Sequence, residues 1–173
     1  MINFYDDSDT MDPMEREKKI FSHFKKKLDF INKNSTGWKS ILDNIDLDAI
    51  IDRDSLQKVP VTRKSNLPDL QKKTPPFAGF NTKEPFNFPY IFASPGPIYE
   101  PAESGDFWNM NRALFAAGFR EKDLVYNTFS YHLGPAGIMF QNSAQSLGCA
   151  VIPGGIGNTD LQIKTIYDLK PNK

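Results

Sequence analysis

The chain has 173 residues, 39% apolar and 24% charged, and its 21 basic and 21 acidic side chains leave no net charge. That balance is ordinary for a globular chain, and nothing in it recommends a nucleic-acid surface or a basic membrane patch. The single Cys149 excludes an internal disulfide, and His23 and His132 are the only histidines, so the chain lacks a Cys/His cluster for zinc. No run approaches the roughly 20 apolar residues of a membrane span. The acidic opening MINFYDDSDTMDP does not read as a secretory leader, and a cytoplasmic location is expected.

Composition changes near residue 85. Residues 1–85 carry 15 basic and 14 acidic side chains, against 6 and 7 afterwards, while nine of eleven glycines fall in residues 86–173. A charged helical region with a Pro-rich connector (1–85) is therefore expected before an incomplete α/β subdomain (86–173). Asp12, Pro13 and Glu15 form a helix start, after which Ile20, Phe21, Phe24, Leu28 and Ile31 recur at helical spacing. Lys25-Lys26-Lys27 reads as the solvated side of that helix rather than an anion site. A second helix is expected over Trp38–Ile51. Six prolines between 60 and 89 forbid long helices, leaving a connector packed by Phe77, Phe80, Phe86 and Phe88.

Pro89–Ala93 reads as a strand that ends in the loop Ser94-Pro95-Gly96-Pro97. A helix over Ser104–Ala117 stopping at Gly118, a strand over Leu124–Phe129, a helix from Pro135 to Gly148 and a buried strand over Cys149–Pro153 follow. Thr159 and Gln162 are spaced as a capping box for a last helix bearing Ile163, Ile166 and Leu169. Alternating strands and helices define an α/β class, with βαβ units of a parallel sheet behind a helical N-terminal region. About three parallel strands are laid down, fewer than such sheets usually hold, so the chain is expected to be the N-terminal part of a longer protein.

Ligands of α/β sheets sit beyond the C-terminal ends of strands, here Ser94–Pro101, Ser130–Gly137 and Gly154–Thr159. Glycine turns there serve chain reversal as readily as binding. Gly155-x-Gly157 lacks the third glycine and the distal acid of a dinucleotide fingerprint. Cys149, opening a buried strand, reads as a core residue rather than a nucleophile, and His23 on the charged helix as inert. His132 is the histidine on a candidate site loop, either facing a ligand or bonded to neighbouring backbone.

Four segments, in order, resemble phenylacetate-CoA ligases among the adenylate-forming enzymes, over roughly residues 50–173. Asp54 to Leu67, with Val-Pro-Val-Thr-Arg-Lys at its centre, is similar to the stretch before the family's nucleotide loop. Ala93-Ser-Pro-Gly-Pro-Ile-Tyr-Glu-Pro101 stands where the family has Ala-Ser-Ser-Gly-Thr-Thr-Gly-Lys-Pro. Thr128-Phe-Ser-Tyr-His-Leu-Gly134 resembles the aromatic-His segment lining the acyl pocket, and Leu147-Gly-Cys-Ala-Val-Ile-Pro153 the strand after it.

The resemblance implies an acid-CoA ligase fold and reaction, using ATP, Mg²⁺ and coenzyme A on a small carboxylic acid. Ser94, Gly96 and Glu100 would lie on the nucleotide side, and Tyr131, His132, Gly134, Gly137, Gly154 and Gly155 would line the acid pocket. No catalytic or metal-binding residue is assigned in this chain, because the family's magnesium-holding acid and catalytic lysine have no counterpart in it. The remainder of a longer protein and a second copy are the candidate macromolecular partners. The nucleotide loop departs from the family. Pro95 and Pro97 lack N–H donors, Ile98 replaces a hydroxyl, Tyr99 a glycine and Glu100 the lysine, which places a carboxylate where phosphates are expected. A non-catalytic binding module of the same fold is the alternative.

Overall fold

The computed structural model describes residues 4–173. Helices and short strands alternate after a helical front, and the chain divides into two units.

One unit comprises Asp6–Phe88 and Gly96–Pro101. Its long helix α1 (Pro13–Asn34) begins as the sequence requires: the Asp12 carboxylate accepts the N–H groups of Met14 at 2.9 Å and Glu15 at 3.1 Å, with proline in the first turn. Ser35 caps α2 (Thr36–Leu42). The stripe of α1 packs as its periodicity demands from Phe21 to Ile31, while Ile20 is left exposed: Leu28, Leu42 and Ile50 form a buried cluster against which Phe24, Ile31, Ile45 and Leu47 close. Lys25 pairs with Asp29 at 3.5 Å and with Asp48, so the lysine run does lie on the solvated side. The helix expected over Trp38–Ile51 is interrupted after Leu42. A 3-10 turn over Leu47–Ala49 follows instead, because Asp46 spends its carboxylate on the N–H of Asp48 and starts a new turn.

Short helices α3 (Arg53–Leu56) and α4 (Leu67–Lys73) carry the chain through the connector, with Pro68 tolerated in the first turn of α4. Phe77 is buried and meets Phe88 edge-on, at 6.1 Å between ring centroids. Phe86 was expected to pack but is 94% exposed, since it stands in a 3-10 turn after Pro85.

The other unit holds residues 4–5, Pro89–Pro95 and Ala102–Lys173. Strands β1 (Tyr90–Ser94), β3 (Leu124–Tyr126) and β4 (Ala150–Ile152) lie in this unit, whereas β2 (Ile98–Ala102) belongs as far as Pro101 to the first; β3 and β4 form a two-stranded sheet. The β3/β4 pair is parallel, with Val125 opposite Val151, and is joined through α6 (Ala136–Ser146). Thus the βαβ unit expected over 124–152 is present, but β1 does not enter that sheet. The main chain of residues 172–173 lies along the other edge of β3: Tyr126 N–H donates to Lys173 O at 2.9 Å and Asn172 N–H to Leu124 O at 3.0 Å. Leu114, Val125, Ala144 and Cys149 form the core between sheet and helices.

Two further helices of this unit depart from the sequence reading. The helix expected over Ser104–Ala117 is confined to α5 (Asn111–Ala116), because Gly105 and Asn109 adopt positive φ and the Asp106 carboxylate caps the N–H groups of Met110 and Asn111. The capping box proposed for α7 (Thr159–Leu169) is absent. Asn158 occupies the N-cap in a left-handed conformation, and Gln162 turns its amide to the carbonyls of Gly155 and Gly157. Ile163, Ile166 and Leu169 of α7 are exposed.

Candidate functional site

Tyr131, Gly137 and Gly155 converge beyond the C-terminal ends of β3 and β4, and a residue the sequence reading passed over joins them. Asn127, directly after β3, is only 4% exposed. Its main chain continues the parallel ladder, with N–H donating to Ile152 O and C=O accepting from Gly155 N–H, both at 2.9 Å. Its side-chain Nδ2 donates to the Tyr131 hydroxyl at 2.7 Å and to Gly137 O at 2.9 Å, while Oδ1 accepts the N–H of Phe129 at 3.1 Å. One buried residue therefore ties the end of β3 through its side-chain amide to the 128–137 loop and the start of α6, and through its main chain to the Gly154-Gly155 turn. A polar residue closing the apolar run Leu-Val-Tyr was the available sequence signal, since a buried amide must have its partners built around it.

The glycines explain how closely these segments pack. A Cβ on Gly137 would stand 2.7 Å from Ser130 O and 2.8 Å from Tyr131 Cγ, and one on Gly154 would stand 2.5 Å from Tyr126 Cε1. Tyr131 is thereby held between backbone segments, and burial pushes its phenol above the usual tyrosine range, opposed by the hydrogen bond from Asn127. His132 and Gly134 lie on the turn that follows, where Gly134 N–H donates to His132 O at 2.6 Å. Among the described residues the exposed His132 imidazole makes no hydrogen bond, so the backbone-bonded alternative is not adopted. Leu133 O accepts from Ala93 N–H at 2.9 Å, which brings the end of β1, and with it buried Ser94, beside this turn. A cavity of about 240 Å³ lies below, lined by Leu114, Val125, Asn127 and Phe140, with Phe129 stacked on Phe140 at 4.4 Å.

The expected nucleotide loop has a different form. It is a tight turn over Pro95–Pro97 followed at once by strand, so Glu100 stands within β2. Its carboxylate pairs with Lys64 at 3.1 Å. The neighbouring Tyr99 is fixed by Gln71, whose buried side chain accepts Tyr99 N–H at 2.9 Å and donates to Tyr99 O at 2.8 Å, acting as a one-residue strand partner. Nothing in the sequence pattern signalled that contact across 28 positions. Glu100 also lines a 330 Å³ cavity with Trp38, Phe77, Phe80 and Ile98. Cys149 is buried, donates Sγ–H to Arg120 O at 3.2 Å and has its thiol pushed upward by burial, as a core cysteine should. Among the described residues no group of three His, Cys, Asp or Glu side chains could hold a metal ion, and no helix is long and apolar enough to cross a membrane.

The fold places these loops where α/β ligand-binding proteins hold their ligands, and comparison gives the class. A solved structure of 2-hydroxyisobutyryl-CoA ligase, in the postadenylation state with R3-HIB-AMP, superposes with a TM-score of 0.84 over 94% of this chain and 36% of that chain, at 18% identity. The chain thus has the fold of the corresponding third of that acid-CoA ligase. In sequence it is similar to the phenylacetate-coenzyme A ligases of Aromatoleum evansii (32% identical over 135 residues, 73% of this chain) and Pseudomonas putida (32% over 126 residues, 61% of this chain). The resemblance drawn from its motifs therefore holds. The chain spans 29% and 28% of the length of those two relatives. No family model matches it.

Proposed function

We propose that this chain supplies part of an ATP-dependent acid-CoA ligase, in which a carboxylate attacks the α-phosphate of ATP, giving an acyl adenylate and pyrophosphate, and the CoA thiol then displaces AMP. The observation that carries this reading is the Asn127-tied pair of loops beyond parallel strands β3 and β4, in a chain similar to phenylacetate-CoA ligases. In this reading Tyr131, His132, Gly134, Gly137, Gly154 and Gly155 border the carboxylic-acid pocket, and Ser94, Gly96 and Glu100 lie on the nucleotide side. Residues 1–85 and 86–173 act as a helical region and an α/β subdomain of a longer, cytoplasmic protein, with a second copy as a further candidate partner. The Mg²⁺ implied by the resemblance has no fitting donor set among the described residues, and no step is assigned to it.

Calorimetric titration of the chain with phenylacetate tests the reading: saturable binding is expected, and absence of binding by any aromatic or aliphatic carboxylate overturns it. His132 sharpens the test, because its free imidazole can be removed without breaking a hydrogen bond of the fold. His132→Ala should change the ranking of aromatic against aliphatic acids several-fold, on the scale of about 1–3 kcal/mol for a pocket contact, while ATP affinity and melting temperature stay within error. An unchanged ranking removes His132 from the pocket.

The binding-module alternative draws on one observation, the Glu100–Lys64 pair, which engages the carboxylate that follows a turn whose two prolines offer no N–H. Glu100→Lys breaks an exposed pair worth about 0–1 kcal/mol and turns local repulsion of phosphate into attraction. Two unit charges about 4 Å apart interact by about 1 kcal/mol in water and about 4 kcal/mol near a protein surface, so ATP should bind at least about fivefold more tightly. Unchanged ATP affinity would place Glu100 away from the nucleotide.

A further inference from the structure

We infer that Asn127 is a positioning residue that makes Tyr131 a hydrogen-bond donor to an oxygen of the bound carboxylate or its acyl adenylate. The inference rests on the acid-pocket reading given above. It follows from which atoms can only donate and which can only accept. Gly137 O can only accept and Phe129 N–H can only donate, and they face opposite ends of the Asn127 side chain at 2.9 and 3.1 Å. Rotating the amide by half a turn would set oxygen against oxygen and N–H against N–H, so the backbone fixes the NH₂ end toward Tyr131. The Tyr131 oxygen, 2.7 Å away, must then accept. Its own hydrogen has to point elsewhere, and among the described residues it meets no acceptor.

A phenol arranged in this way offers a proton and selects a ligand atom with a lone pair. A carboxylate oxygen fits, and so does the carbonyl oxygen of an acyl adenylate; an ammonium group gains nothing. A phenol is neutral at neutral pH, and burial pushes its titration further up, so that proton stays in place. The loop around Tyr131 contributes the rest of the arrangement. The ring packs directly on Gly137, where a Cβ would stand 2.8 Å from its Cγ, and lies against Gly155, where one would stand 3.6 Å from its Cδ2.

The experiment uses the whole chain with phenylacetate as probe, and ¹³Cζ-labelled tyrosine, the Tyr131 signal being assigned by its loss in Tyr131→Phe. Saturating phenylacetate should shift the Tyr131 ¹³Cζ resonance in the unmodified chain, and Tyr131→Phe should weaken phenylacetate binding about tenfold with an unchanged melting temperature. Asn127→Asp presents an acceptor to Tyr131 in place of a donor and should weaken binding by a similar factor, but by less than twofold when Tyr131 is already phenylalanine. Because the NMR shift and Tyr131→Phe need no change at Asn127, they decide the matter even if Asn127→Asp fails to fold. Phenylacetate binding with an unmoved Tyr131 resonance, full affinity in Tyr131→Phe, or additive losses in the double variant would overturn the inference alone. Absence of phenylacetate binding by the unmodified chain would overturn the acid pocket as well.

Discussion

Truncation of Leu42 to alanine is expected to cost about 2–5 kcal/mol of folding stability, the range for removing a fully enclosed leucine side chain. Leu42 is 1% exposed, packed with Leu28 and with Ile50, which is itself 0% exposed, and flanked by Phe24, Ile31 and Ile45. These neighbours come from α1 and from the turns that follow α2, so the side chain is enclosed from two separate segments. Set against a typical total of about 5–15 kcal/mol, a loss of that size lowers the urea midpoint substantially while leaving the slope of the transition unchanged. Ile20→Ala is the companion measurement. Ile20 belongs to the same periodic stripe but is 46% exposed, and should cost less than about 1 kcal/mol. Equal losses at the two positions would mean that the buried cluster does not organise this region.

Gly137→Ala should be the most damaging single methyl addition in the candidate site. In an unconstrained helix interior the exchange favours folding by about 1 kcal/mol. Here the new methyl would meet Ser130 O at 2.7 Å and the Tyr131 ring at 2.8 Å. The first obstacle is backbone and the second is a ring already held by Asn127, so neither gives way cheaply. Overpacking of this kind costs about 1–3 kcal/mol, enough to reverse the helical gain. The strain should push the 130–131 segment away from α6, lengthen the Asn127 bonds and reduce carboxylate binding more than tenfold. Gly157→Ala is the control: its Cβ would meet nothing within 4 Å, although its positive φ of 81° makes the exchange locally strained. It should lower the melting temperature modestly and leave phenylacetate affinity intact. Full affinity in Gly137→Ala would show that the close approach of the loop to the helix is not needed for binding.

Local signals fared well where a few neighbouring residues suffice. Asp12 and Pro13 set the start of α1, and the spacing of Phe21 and Leu28 selected the face that is buried. The strand, helix and strand over 124–152 could be read because apolar runs and the stop at Gly148 are local chemistry. Local reading failed where a distant or backbone partner intervened. Asp106 takes the first N–H groups of α5 and also accepts Ser143 Oγ–H at 2.7 Å from 37 positions away, which ends the expected longer helix before it begins. Gln162, spaced as half of a capping box, bonds the carbonyls of Gly155 and Gly157 instead.

The sequence by itself determined the class of the fold, its helical front, the βαβ unit and the identity of the loops that follow β3 and β4. It also carried the resemblance to phenylacetate-CoA ligases, which resides in the order of short motifs rather than in any three-dimensional contact. Only the tertiary structure decided that Ser94–Pro101 forms a turn and strand, that Glu100 is neutralised by Lys64 from 36 positions away, and that Gln71 completes the hydrogen bonding of Tyr99. It alone also showed which groups the buried Asn127 side chain bonds. The reason is physical: periodicity reports which face of an element is apolar, whereas the partners of a buried amide or carboxylate are set by which chain segments meet, and that information is absent from the spacing of residues along one segment.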